Sequence, residues 1–261
     1  MSRYCAFVST TLVLLCVAAA AGSTTEYLYD DGVSNITLGP PDSFEEFGDI
    51  DVMWGNYFFA ESPREIVRTV EFGLGSLSKG GAVSVWIFDD PDNDGDPTNA
   101  VPLTSVTTVG ANLGFDFNVV DVPATAVTGG FFVAVEHLAL LVYPSPGDPD
   151  YPSPVRFDPD GRADRSWFFY DDDIPEEDLA SSGFVQRMDG PFVPIQGAHA
   201  VRATTSPGAD LDGDGVIGFG DLVIVLSAWG ACPGCLADID GSGAVGFDDL
   251  VMVLSAWGPC T

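Results

Sequence analysis

Asp210-Leu211-Asp212-Gly213-Asp214-Gly215-Val216-Ile217-Gly218-Phe219-Gly220-Asp221 recurs 28 positions later as Asp238-Ile239-Asp240-Gly241-Ser242-Gly243-Ala244-Val245-Gly246-Phe247-Asp248-Asp249. Each copy runs on into an apolar segment, 222–230 and 250–258, and both segments close on Leu-Ser-Ala-Trp-Gly. Aligned at that offset, 16 of the 23 residues from Asp210 to Cys232 match their partners. A repeat of this quality is one supersecondary unit built twice.

The carboxylate spacing is that of a calcium loop. Ca²⁺ is a hard cation that takes about six to eight oxygen ligands, and a twelve-residue loop supplies them from positions 1, 3, 5, 7 and 12, with glycine at 6 for the turn. In the first copy these positions are Asp210, Asp212, Asp214, the carbonyl of Val216 and Asp221, with Gly215 at the turn. In the second they are Asp238, Asp240, Ser242, the carbonyl of Ala244 and Asp249, with Gly243 at the turn. Position 9 is glycine in both, which leaves room for a water. Ser242 replaces a carboxylate with a neutral oxygen, so the second of the two Ca²⁺ sites is expected to be the weaker.

The helix that precedes the loop in a full EF-hand is missing, because Thr204-Thr205-Ser206-Pro207-Gly208-Ala209 cannot form one. A duplicated loop with an exit helix only resembles a type I dockerin, over about 50 residues, 210–260. The resemblance implies a small domain of two antiparallel helices holding two Ca²⁺ ions. It also implies docking to a cohesin-like partner on a scaffold or cell surface. In that family positions 10 and 11 of each loop help choose the partner. Here they are Phe219-Gly220 and Phe247-Asp248, unlike the small hydroxyl-bearing pairs common in cellulosomal dockerins.

Upstream, Met1-Ser2-Arg3 leads into an apolar run from Phe7 that ends in Ala18-Ala19-Ala20-Ala21-Gly22. One early positive charge, a short apolar core and small residues at its end describe a secretory signal peptide, 1–21. A membrane span needs about 20 apolar residues, and no segment supplies them. The chain is thus expected to be secreted or held at the cell surface. Its formal charge is −30, and losing Arg3 makes it one unit more negative. Nucleic-acid binding is excluded in practice, because phosphate recognition needs a basic surface. After Arg202 there is no basic side chain and there are eight aspartates, so the tail repels itself without bound cations. Export permits disulfides among Cys232, Cys235 and Cys260. Cys235 can bridge to Cys232 or to Cys260, the local pair being preferred. Zinc is not expected, since a closed site needs four ligands and the tail has no histidine.

Between leader and tail, a body of 24–203 is long enough for one good core, and 204–209 reads as a linker. Apolar or alternating runs of strand length fall at 52–60, 66–74, 82–88, 115–122, 131–143, 166–170 and 198–203. In 82–88, Val83, Val85 and Ile87 share one face and Ser84, Trp86 and Phe88 the other, which is period two. Clusters of Gly, Pro, Asn and Asp punctuate the gaps. The chain is therefore predicted to be mainly β. An antiparallel β-sandwich, jelly-roll-like, is followed by a small α-helical half-EF-hand pair. The body also looks like the β-sandwich modules found ahead of C-terminal dockerin repeats in bacterial secreted proteins. Asp90, Asp92, Asp94 and Asp96 in the loop after 82–88 offer a third Ca²⁺ site or a solvated hairpin loop.

The function these features point to is non-catalytic. A β-sandwich binding module, with Trp54, Tyr57, Trp86 or Trp167 as candidates for stacking on carbohydrate, rides on a Ca²⁺-dependent attachment tail. The rival is a secreted glycoside hydrolase that degrades polysaccharide and carries the same tail. Such an enzyme needs two carboxylates facing each other across a cleft, and the strand-borne candidates are Glu71 and Glu136. A serine triad would have to use His137 or His199, and no G-x-S-x-G elbow occurs.

Overall fold

The structure, a computed structural model, describes residues 23–33, 36–38, 50–76, 81–139, 153–191 and 196–260. The expected leader lies outside these residues, as does the end of the 131–143 segment. In chain order the body strands are β1 (Thr25–Tyr27), β2 (Ile36–Leu38), β3 (Ile50–Phe59), β4 (Glu65–Phe72), β5 (Leu74–Ser76), β6 (Ala82–Asp89), β7 (Val101–Val109), β8 (Asn118–Val127), β9 (Gly130–Ala139), β10 (Ser153–Asp158), β11 (Ser166–Asp171), β12 (Phe184–Arg187), β13 (Ala198–His199) and β14 (Val201–Pro207). One sheet has the order β12-β11-β3-β9-β6-β7 and a second β1-β14-β4-β8, while β10 pairs with β13, β2 and β5 in a third. Every described pairing is antiparallel.

Side-chain period decides the packing. Val83, Val85 and Ile87 of β6 are buried in the largest core cluster, as their alternation predicts. The central strands β3 and β9 are apolar on both faces. Val52, Trp54, Phe58, Phe131, Val133 and Val135 enter the first cluster, and Met53, Tyr57, Phe132 and Ala134 enter a second. The first cluster also takes Val67, Val70 and Phe72 from β4 and Val201 and Ala203 from β14, so it draws on both large sheets. The second lies on the other face of the six-stranded sheet, covered by Ile174 and Leu179 from the segment after β11. Each fully buried large apolar side chain contributes about 1.5–3 kcal/mol. Trp54, Tyr57 and Trp167 are all buried in these clusters and do not present a stacking platform; only Trp86 is half-exposed.

Residues 204–207 are not a linker. They belong to β14, which pairs with β1 on one side and β4 on the other. Val201, Ala203 and Thr205 alternate inward, and Thr205 donates its hydroxyl to Glu65 at 2.6 Å. Pro207 stands at the strand end, a position where proline is tolerated. Only Gly208 and Ala209 separate β14 from the first loop. A bulge in β4 between Val67 and Thr69 also changes an expected face. It turns Val67 into the core with Val70 and Phe72, so Val67 and Glu71 do not share a face as strict alternation predicts.

The tail is a pseudo-symmetric pair. Its elements are β15 (Val216–Ile217), α1 (Phe219–Ser227), β16 (Gly230–Ala231), β17 (Ala244–Val245), α2 (Phe247–Ser255) and β18 (Gly258–Pro259). β15 pairs with β18 and β16 with β17, so the strand leaving each loop binds the segment that follows the other helix. Leu211, Ile217, Val225, Ile239, Val245 and Val253 form the tail core, and Ile66 of β4 is buried among them. Arg64 donates to the carbonyls of Gly208 at 2.9 Å and Leu236 at 3.0 Å. Tail and body therefore share packing. Cys232 and Cys235 form a disulfide, and Cys260 is free.

One buried ion pair fixes β14 near the start of the chain. Arg202 donates to both oxygens of the buried Asp30, at 3.0 and 2.6 Å, and lies 4.0 Å above the Phe117 ring. Asp30→Ala would leave that guanidinium without its partner. We expect a loss of about 2–4 kcal/mol in denaturant unfolding, with the slope unchanged.

Candidate metal centre

Each tail loop is closed by its twelfth residue. Asp221 is fully buried. Its Oδ1 accepts the N–H groups of Leu211 at 2.6 Å and Asp212 at 3.2 Å, and its Oδ2 that of Gly218 at 2.7 Å. Asp249 repeats this with Ile239 at 2.6 Å, Asp240 at 3.1 Å and Gly246 at 2.7 Å. Gly218 and Gly246 are the residues before each helix, so the third helical residue reaches back to satisfy an N–H that the helix leaves unpaired. A carboxylate that gathers three N–H donors draws both ends of its loop together.

Inside the closed loops the other carboxylates cluster. Asp210, Asp212 and Asp214 each bring an oxygen within 4.8 Å of the others, as do Asp238, Asp240 and Asp249. Asp221 is not part of the first group, whereas Asp249, which holds the same three N–H groups, is part of the second. Val216 and Ala244 open β15 and β17, as their place in the loop requires. The Ser242 hydroxyl donates to the Ala244 carbonyl at 3.0 Å, joining two of the expected oxygens of the second loop. Gly213 and Gly215 have φ of 75° and 81°, and Gly241 and Gly243 have 71° and 89°. This left-handed backbone turns successive carboxylates inward and favours glycine at those positions.

The electrostatics favour a cation. Asp210 is buried, which pushes its carboxyl up, against the nearby Arg68 guanidinium and the Gly213 N–H. Asp238 is buried too, and its Oδ1 has no hydrogen-bond partner. Such an atom is costly to leave unpaired and suits a metal ligand. These groups are therefore able to hold a metal ion. Two residues at their edge were not foreseen: Arg64, and Arg68, whose Nη2 donates to the Asp210 carbonyl at 2.5 Å. Neither carries a signal in the sequence, because both come from the body, Arg68 from β4 and Arg64 from the residue before it. A third group with the same 4.8 Å spacing, Asp90, Asp92 and Asp94, lies in the loop after β6.

The helices expose a different stripe from the one their sequence predicts. The apolar pattern places Leu222, Val225, Leu226 and Trp229 on one face, with Leu250, Val253, Leu254 and Trp257 equivalent. Val225 and Val253 are buried, but Leu226, Trp229, Leu254 and Trp257 are exposed. Two nine-residue helices bury only a narrow seam against each other and the loops. The rest stays outside, led by Phe219 and Phe247 at 72% and 69% exposure.

The carboxylates proposed for glycoside hydrolysis do not meet. Glu71 alternates with Val70 and Phe72, and Glu136 follows Val135, all three of these neighbours being in the first core cluster. Each acid therefore points away from that cluster, one from the four-stranded sheet and one from the six-stranded sheet. Glu136 is buried and accepts the Trp86 indole N–H at 2.7 Å. Burial raises its pKa to about 7, with the Trp86 bond opposing and Glu176, Asp51 and Asp173 adding repulsion. His199 is fully buried, which pushes its pKa down to about 3 and keeps it neutral. His137 is buried as well.

No family model matches this chain, and no curated protein matches it. Among solved structures, it is similar to a clostridial cysteine protease, Cwp84, after propeptide cleavage. The identity is 16% and the TM-score 0.38, over 70% of this chain and 40% of that one. It is also similar to the cysteine protease and lectin-like domains of Cwp84, a surface layer associated protein of Clostridium difficile. There the identity is 15% and the TM-score 0.33, over 60% of this chain and 32% of that one. The chain thus spans less than half the length of either. No described helix is long and apolar enough to cross a membrane.

Glu136 makes a measurable contribution to pH dependence. Its pKa is raised from 4.5 to about 7 in the folded state, so the native chain holds a proton that the unfolded chain releases. Its contribution to stability is full below pH 4.5 and is lost as pH rises to about 7. Comparing urea unfolding across that window, Glu136→Gln should fall less in stability than the native chain. Parallel profiles would mean that Glu136 titrates normally.

Proposed function

We propose that the tail is a Ca²⁺-dependent attachment domain of dockerin type. The body is a jelly-roll-like β-sandwich that this tail displays on a cohesin-like or other surface scaffold protein of the exporting cell. The observation that carries this reading is the pairing of two features in one repeated unit. Each copy has a closed loop of clustered carboxylates, and beside it a helix with matching exposed apolar side chains. Phe219, Val223 and Leu226 recur as Phe247, Val251 and Leu254, and all six are exposed. Spacings of four and three residues put each trio on one helix face. No charged side chain occurs between Asp221 and Cys232 or between Asp249 and Cys260. An apolar surface of that kind marks a contact with another protein.

Ca²⁺ fits the donors better than other cations, because every side-chain ligand is an oxygen and most are carboxylates. Calcium would relieve the repulsion within each loop and stabilise the closed form. At free Ca²⁺ a hundredfold above Kd, each site adds about 3 kcal/mol. Export by the leader would place the protein where such Ca²⁺ is available.

Two measurements test this. In calorimetric titrations of the full chain, the first site left intact in Asp249→Ala should bind Ca²⁺ about tenfold more tightly than the second site left intact in Asp221→Ala, since the first loop carries an aspartate where the second has Ser242. Absence of calcium-binding heat in the native chain would remove the basis of the proposal. For attachment, the native protein should sediment with the cell-wall fraction of its source cells in Ca²⁺ and be released by chelator. Phe219→Asp combined with Phe247→Asp should bind Ca²⁺ normally yet stay in solution. A native protein that stays soluble in Ca²⁺ would rule out the docking role.

A further inference from the structure

We propose that Asp90, Asp92 and Asp94 form a third Ca²⁺ site, which fastens the β6–β7 connection to the rim of the six-stranded sheet. This inference does not depend on the tail. The carboxylates occupy positions 1, 3 and 5 of a loop with Gly95 at 6, and their oxygens lie within 4.8 Å of one another. The observation that asks for a ligand is at Asp90. Its side chain is 1% exposed, and its Oδ1 is buried with no hydrogen-bond partner. The second oxygen is already satisfied, accepting the Tyr57 hydroxyl at 2.5 Å and the Gly95 N–H at 3.3 Å. The same kind of orphaned carboxylate oxygen occurs at Asp238 in the second tail loop.

No protein cation fills the role. Among the described residues no ion pair reaches Asp90, Asp92 or Asp94. Arg165 is the nearby basic group, but its guanidinium lies over the Tyr57 and Phe59 rings, at 5.6 and 5.2 Å, and pairs with Asp164. A buried carboxylate oxygen without a donor, beside two more carboxylates, is costly unless a cation joins them. The loop is shaped for one. Asn93 has φ of 57° and Gly95 of 87°, the left-handed region also adopted at the same two positions of both tail loops. Asn93 is the one described non-glycine residue with positive φ, and its side chain accepts the Gly130 N–H at 2.5 Å.

The site differs from the tail loops at position 12, where Val101 replaces the aspartate. The remaining ligands must be a backbone carbonyl and water. Binding should therefore be weaker, with Kd of about 10⁻⁴–10⁻³ M, the range of extracellular Ca²⁺ modules. An ion there would tie β6 and its loop to Tyr57 of β3 and to the start of β9.

The test is the number of ions bound by the full chain in equilibrium dialysis at several millimolar Ca²⁺. Asp92 and Asp94 are exposed, so Asp92→Asn with Asp94→Asn should leave the fold intact. This variant should bind one ion fewer than the native chain, whatever the tail holds; an unchanged number would overturn the proposal. A second measurement needs no variant. In the native chain, cleavage by an aspartate-directed endoprotease before Asp92, Asp94 or Asp96, mapped by mass spectrometry, should slow about tenfold in Ca²⁺. Equal rates with and without Ca²⁺ would overturn it as well.

Discussion

Eight aspartates and no basic side chain follow Arg202, so the tail can hold its shape only where something other than its own side chains offsets the charge. Three things can do so. Backbone N–H groups converge on Asp221 and Asp249 and close the loops. Two arginines, Arg64 just before β4 and Arg68 on it, reach carbonyls of the tail. Cations within the loops would supply the rest. The first two are visible as hydrogen bonds, yet they leave the clustered carboxylates facing one another. The orphaned oxygen of Asp238 shows where the deficit falls.

The same arginines bind tail to body. Arg64 touches carbonyls on both sides of the repeat, Gly208 and Leu236, and Ile66 between the two arginines enters the tail core. Anything that loosens the loops therefore loosens a contact with β4, a strand of the large core. The exposed surface of the tail carries the matched aromatic and aliphatic side chains. Anchoring on one side and apolar exposure on the other suit a domain that presents one face to a partner while staying fixed to what it carries.

The tail loops and helices were legible because carboxylates able to hold a metal ion recur at a fixed spacing, and the duplication repeats it. Strand β6 was legible because its alternation is strict. Other elements were hidden for physical reasons. β7 alternates Thr and Ser with apolar residues and carries Pro102, a pattern that reads as loop until its place at the sheet edge is known. The second half of β14, 204–207, read as a linker because Thr, Ser and Pro are turn formers in isolation, and partners on both sides override that. The bulge after Val67 turned that residue away from Glu71's face, which no period-two count can anticipate. The loop at Asp90 read as either solvated or metal-binding, and the burial of Asp90 is a feature that no sequence pattern shows. The helix stripe was misplaced by one position: Val225 is buried while Leu226, its neighbour, is outside.

The central claim is that cations hold the tail loops closed. Amide hydrogen exchange in the full chain reads this directly, at the six N–H groups that bind Asp221 and Asp249: those of Leu211, Asp212, Gly218, Ile239, Asp240 and Gly246. Exchange at these amides should slow by about a hundredfold or more when Ca²⁺ replaces chelator, as closed loops replace open ones. Equal exchange rates in the two conditions would contradict it.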